Sequence, residues 1–170
     1  MREVFDVIRE PNSANAQAIT QVMLSDKKVA PRQWTVVNDA AAPAIANTVV
    51  PLARWLALHA SGANMTNVGA IIAPDADLAA IRPHLDEVAV LAIHFPRFGD
   101  GRGYSHARRL RHLWGYGGRL LAFGDVLRDQ LIWMWRCGID QFHLRPDQDP
   151  QACLRAFSLY SVTYQYGPIR

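Results

Sequence analysis

Between Val68 and Leu144 short apolar runs alternate with helix-like patterns, and this alternation leaves the chain few architectures to choose from. In order the segments read VGAII, PDADLAAIRPHL, EVAVLAIHF, GYSHARRLRHLW, GRLLAF, DVLRDQLIWMWRC and IDQFHL. The runs VAVLAI and RLLAF are apolar on both faces, which suits parallel strands covered by crossover helices. Leu78, Ile81 and Leu85 share one helical face after the capping candidates Asp75 and Asp77. Ala107, Leu110 and Trp114 share a second face, and Leu127, Leu131 and Trp135 a third, with Asp125 placed to cap that helix. We therefore expect an α/β domain with about four consecutive parallel strands, near Ile71, Leu91, Leu121 and Phe142, and crossover helices between them. This resembles half of a (β/α) barrel: a complete eight-stranded barrel needs about 250 residues, and the chain has 170.

Residues 1–33 show no single periodicity and are expected to form an N-terminal appendage to one domain spanning 34–170. QWTVVND suits a short strand. The pattern VVPLARWLALHA from Val49 to Ala60 suits an amphipathic helix, with Pro51 near its start and Gly62 beyond its end. His59 then reads as a packing or helix-terminus residue, not a ligand. Past Leu144, Asp149 is an N-cap with Pro150 at the first helical position, and Cys153, Leu154 and Phe157 form the apolar face. SVTYQY suits a final edge strand.

Composition removes several classes of function. A charged fraction of 19% and a net charge of +3 argue against a protein that coats nucleic acid by bulk electrostatics. Only Lys27 and Lys28 are lysines among 18 basic residues, so nearly every fixed cation is a guanidinium suited to oxyanions, a bias that a GC-rich genome also produces. Cys137 and Cys153 provide neither a CxxC clamp nor a disulfide framework, and a reducing cytoplasm is the expected location. No stretch approaches the roughly 18 apolar residues of a membrane span.

In a βαβ plan the loops after the parallel strands converge at one edge, where such sheets bind ligands. The loop after VAVLAI carries His94, Arg97, Asp100, Arg102, Tyr104 and Ser105. The loop after RLLAF carries Asp125, Arg128 and Asp129, and the last strand contributes His143 and Arg145. DGRGYS reads either as an anion cradle at a helix N-terminus or as a turn in which Asp100 caps the helix and Arg102 braces Asp125. It lacks the lysine and the spacing of a nucleotide-phosphate loop. Arg128 and Asp129 suit a general acid/base pair only in a dry site. His94 and His143 have no metal-binding spacing, so no metal is expected. HARRLRH reads as a solvated helix face. Topology brings Asp100, Arg102, Asp125 and Arg128 into one expected polar cluster.

Three segments, FPRFGDGRGYSHARRLR, GDVLRDQL and RCGIDQFHL, together resemble the bacterial family called domain of unknown function 934, over roughly Trp34 to Gln165. The resemblance implies a link to sulfite reduction, because members are encoded beside sulfite reductase, and an oxidoreductase label. It implies no catalytic residue. The chain departs from the family pattern at His94 and His143, where acidic residues are expected. The residues themselves carry no dinucleotide fingerprint, cluster-binding cysteine set or haem motif, so no cofactor follows. The expected functions are a binder of a small oxyanion at Arg97, Arg102, Arg128 and Arg145, a non-catalytic partner of sulfite reductase docking through the helix at Ser105–Leu113, or a scaffold remnant. A homodimer is expected, with Trp114, Trp133 and Trp135 as contact surface.

Overall fold

The structure is a computed structural model that describes residues 22–37 and 46–158. Six strands lie side by side in chain order and all run parallel: β3 (Thr35–Val36), β4 (Thr48–Pro51), β5 (Val68–Ile72), β6 (Val90–Phe95), β7 (Arg119–Gly124) and β8 (Gln141–Phe142). A hairpin of β1 (Val22–Ser25) and β2 (Lys28–Pro31) extends the sheet antiparallel to β8, with Leu24 opposite Phe142. The resulting eight-stranded sheet, ordered β2-β1-β8-β7-β6-β5-β4-β3, curls into a half-barrel.

Six parallel strands form where about four were expected, and β4 accounts for the less obvious addition. Val49 and Val50, read from sequence as the start of a helix, are fully buried strand residues. Helix α1 (Leu52–Ala60) begins only after Pro51, whose backbone is extended. Two β-branched side chains on opposite faces suit a doubly covered strand, and this packing prevails over the helical spacing that continues into α1. The stretch read as an appendage supplies the hairpin. Asp26 and Lys27 both have positive φ, 49° and 60°, the handedness that a two-residue hairpin turn needs to match strand twist. Residues 1–21, residues 38–45 and the SVTYQY segment lie outside the described residues.

Alternation along the strands separates two apolar layers. Leu91, Ile93 and Phe95 of β6 face the covering helices, while Val90, Ala92 and His94 face the concave side. The concave cluster holds Trp34, Val49, Ile71, Val90, Ala92, Leu121 and Phe123. The β5–β6 crossover consists of two 3-10 turns, Leu78–Ala80 and Arg82–His84, where a helix was expected. Asp77 caps the first turn by accepting from Ala79 N–H at 2.9 Å, and Pro83 withholds a donor from any longer α-helix.

Helix α2 (Arg102–Arg108) widens into a π turn over Arg109–Leu113, and a 3-10 turn (Arg128–Gln130) leads into α3 (Leu131–Arg136). Helix α4 (Pro150–Leu154) begins at Asp149, which accepts from Gln151 N–H at 2.9 Å, as its sequence signals indicate. Cys153 is buried, and burial pushes the half-buried Cys137 thiol up, so both act as packing groups. Trp114 and Trp135 pack partly against the core, whereas Trp133 is exposed.

Arg111 of the basic run does not belong to a solvated face. Arg111 turns inward from the π turn and donates to the carbonyls of Tyr116, Gly118 (3.0 Å) and Gly138 (3.1 Å) and to Asp140 at 3.1 Å. Asp140 in turn accepts from Leu120 N–H at 3.2 Å. The guanidinium thereby joins the turns that enter β7 and β8.

Candidate functional site

The six parallel strands end at one edge, and the concave-face residues His94 of β6 and Phe123 of β7 form the floor of a cleft there. His94 lies opposite Phe123 in the β6–β7 register, and its ring stacks on Phe123 with centroids 4.8 Å apart and planes 19° from parallel. Ala122 pairs with Phe142 in the next register, so His143, one residue on, continues the row beside Phe123. His143 N–H donates to Ala122 O at 2.9 Å. The cleft has a volume of about 670 Å³, with Pro51, Leu52, Leu56 and Ile71 as apolar walls and Asp75 and Asp77 among its lining residues. His106 donates to Pro74 O at 3.0 Å and ties the loop after β5 to α2.

Both imidazoles of the row favour the neutral form. His94 is 6% exposed, and burial pulls its pKa down, with Asp100 opposing. His143 is 4% exposed and is pulled down to about 3, first by burial and then by Arg32. Arg32 donates to His143 Nδ1 from Nη2 at 2.9 Å and from Nε at 3.2 Å. That contact needs an unprotonated Nδ1. The two rings are separated by the β7 strand, roughly 10 Å across two interstrand spacings, so they do not form a metal-ligand pair.

The polar residues named from the sequence lie on the loops beside this cleft, but their pairing differs from the expected single cluster. Arg102 does not reach Asp125. It closes a two-point contact on Asp100, at 3.0 and 2.6 Å, and its backbone N–H also donates to that carboxylate at 3.2 Å. These bonds to Arg102 hold Asp100 down at about 2. Asp125 does not cap the turn that follows. Its two oxygens accept from Phe98 N–H at 2.8 Å and Arg145 Nη1 at 2.9 Å, and Arg145 also grips Asp147 through two contacts at 2.6 Å. Gly124, at φ +102°, makes this turn possible, letting Asp125 N–H reach Phe95 O at 2.7 Å where any Cβ would collide with that oxygen.

Gln130 Nε2 donates to Phe98 O at 3.3 Å, so the loops after β6 and β7 do meet, through the Phe98 backbone. Arg128 contributes its N–H to Gln148 at 3.3 Å. Among the described residues the guanidiniums of Arg97 and Arg128 have no hydrogen-bond or ion-pair partner. Tyr104 packs edge-on against Phe95, and burial pushes its phenol up to about 12. Ser105 and Asp129 are exposed.

Over residues 69–168 the chain matches the family model described as "Bacterial protein of unknown function (DUF934)". The chain belongs to the DUF934 family. No curated protein and no solved structure matches it. The match starts inside β5 and takes in both loops of the polar rim, so the DUF934 region holds His94 and Phe123 of the cleft floor, and His143 beside them in the strand row. Pro51, Leu52 and Leu56 of the wall, and Arg32, precede it.

Sequence reasoning missed Arg32, whose contact with His143 spans 111 residues. It also missed the apolar walls, although strand alternation places Ile71, His94 and Phe123 on one face. Asp125 is expected to brace the rim. Asp125→Ala removes the acceptor of Phe98 N–H and should cost about 1–3 kcal/mol in urea unfolding. Amide exchange at Phe98 should quicken before that of β6, which reads loosening of the loop separately from global loss.

Proposed function

We propose that this DUF934 protein is a small-molecule-binding module of sulfite reduction whose ligand sits in the cleft at the mouth of the half-barrel. The observation that carries the reading is a neutral-biased His94 on an apolar floor at the carboxyl edge of a parallel sheet. The cleft has apolar walls, a single imidazole as donor or acceptor, and Asp75 and Asp77 in its lining, which disfavour an anion. The ligand class is therefore a compact, largely apolar molecule with one polar group for His94. The context of sulfite reduction comes from the resemblance of the three motif segments. Arg102 and Arg145 are engaged by carboxylates, so an oxyanion would rely on Arg97 and Arg128.

A fragment screen read by NMR tests this, with sulfite, sulfate and phosphate in the same series. Hits should move the signals of the His94 ring and of the methyl of Ala73, which also lines the cleft, and Ala73→Leu, which narrows the cleft, should weaken them at least tenfold. If only the oxyanions bind, and Arg97→Ala with Arg128→Ala abolishes that while Ala73→Leu does not, the cleft reading fails and the anion reading stands.

A second reading rests on α2 and its π turn, where Ser105, Arg108, Arg109 and His112 are exposed at helical spacing beside Leu113, which is 72% exposed. Such a stripe suits docking on an acidic partner such as sulfite reductase. Capture of that enzyme that is lost on charge reversal at Arg108 and Arg109 would favour it.

A further inference from the structure

At the edge of the sheet opposite the cleft, three metal-ligating side chains from two separate elements converge. Helix α1 starts at the cleft wall with Leu52 and runs for nine residues, roughly 13 Å, so His59 in its last turn lies far from the mouth. The second turn of the β5–β6 crossover brings His84, and Glu87 follows just before β6. His59 Nε2 lies 2.7 Å from Glu87 Oε2, and His84 Nδ1 lies 3.3 Å from Glu87 Oε1. One donor atom from each residue lies within 4.8 Å of the other two.

The rings are held in place from beneath. Trp55 is fully buried and anchored by its indole N–H on Val68 O at 3.1 Å. His59 stacks on it one turn later, centroids 5.1 Å apart and 12° from parallel, and His84 lies 4.5 Å from His59. Orientation of imidazoles by a rigid neighbour is what a metal site needs from its surroundings.

We propose that His59, His84 and Glu87 form a binding site for a divalent transition-metal cation that clamps α1 to the β5–β6 crossover. Two imidazole nitrogens and one carboxylate oxygen match zinc and its neighbours, and offer too few oxygens for calcium or magnesium. Ligand atoms at about 2.0–2.2 Å from a tetrahedral zinc stand roughly 3.5 Å apart, so the longest spacing closes by about an ångström at most while the 2.7 Å contact of His59 with Glu87 opens. Glu87, with 54% of its side chain exposed, is free to swing by that much, and the fourth position opens to water. Metal binding takes the ring nitrogens that now face Glu87, so each neutral imidazole carries its proton on its other nitrogen. The site is a structural clamp, and it stands or falls separately from the cleft.

The test uses the full chain stripped with a chelator and then titrated with zinc by calorimetry, with cobalt(II) as a visible-absorption probe. One zinc per chain is expected. The melting temperature should rise by roughly 5–10 °C at zinc a hundredfold above its Kd. His84→Ala and Glu87→Gln should each weaken binding at least tenfold. Glu87→Gln changes an exposed side chain and keeps its shape, so it reads binding in a folded protein, while His112→Ala, at an exposed histidine elsewhere, should bind like the parent. Absence of stoichiometric binding, or binding that Glu87→Gln and His84→Ala both leave unchanged, overturns the proposal.

Discussion

Arg111→Ala should cost about 3–5 kcal/mol, a large share of the stability of a domain this size. The substitution strips donors from the carbonyls of Tyr116, Gly118 and Gly138 and leaves Asp140 without its closest cation. Arg119 stands 3.9 Å from Asp140 and is itself committed to Asp26 at 3.0 Å, so it compensates little. Arg111→Lys keeps the charge but not the planar fork that serves three carbonyls at once, and should recover only a minor part. Arg109→Ala, two positions away and exposed, should stay within about 0.5 kcal/mol of the parent. Burial pushes the Asp140 carboxyl up to about 6 against the pull of Arg111 and Arg119. The penalty of Arg111→Ala should therefore shrink at pH 5, where protonation removes the uncompensated charge. Urea midpoints at pH 5 and pH 8 check both parts, and an equal penalty at the two pH values would assign the whole effect to the carbonyls.

The parallel half-barrel was legible because its evidence is local. Strands β5, β6 and β7 are apolar runs bounded by turn residues, and their order along the chain is also their order in the sheet. What escaped was set by contacts between distant segments. Val49 and Val50 carry helical spacing into α1, and only the neighbouring β5 tells them to extend, through Val49 opposite Gly69. Gly69 leaves no room for a side chain there, since a Cβ would lie 2.2 Å from a Val90 methyl. The β1–β2 hairpin has a turn signal in SDKK, but its place beside β8 rests on Leu24 meeting Phe142, which no periodicity encodes.

The same division holds at the candidate site. Topology correctly placed the Asp100 and Asp125 loops side by side, yet charge counting could not choose partners. Asp100 lies two residues from Arg102, so their contact closes a short loop and orders little extra chain. Asp125 is left for the Phe98 amide and for Arg145, groups whose approach depends on the turn at Gly124. Arg111 shows the converse failure: three basic neighbours look like a solvated face, and the π turn rotates one of them inward.

Acidification from pH 7 to pH 5 should withdraw about 2 kcal/mol of stability through His143 alone. Folding lowers its pKa from 6.5 to about 3, because the ring is buried and accepts from Arg32. For a group depressed in this way the contribution is complete above 6.5 and is lost as the pH falls towards 3, since the unfolded chain takes the proton first. Asp140 acts with the opposite sign. Its pKa rises from 3.8 to about 6 on folding, so its contribution is complete below 3.8 and is lost as the pH climbs through 6. Over the same interval Asp140 returns about 1 kcal/mol, and the parent should show only a shallow net loss, deepened by His94, whose pKa is shifted down as well. His143→Asn places an amide oxygen where Nδ1 accepts from Arg32 and has no proton to gain. The variant will start from lower stability because packing is lost, but between pH 7 and pH 5 its unfolding free energy should fall by about 2 kcal/mol less than the parent's, while His112→Ala should follow the parent. If the two profiles run parallel, His143 is protonated in the folded state, and its contact with Arg32 does not form in solution.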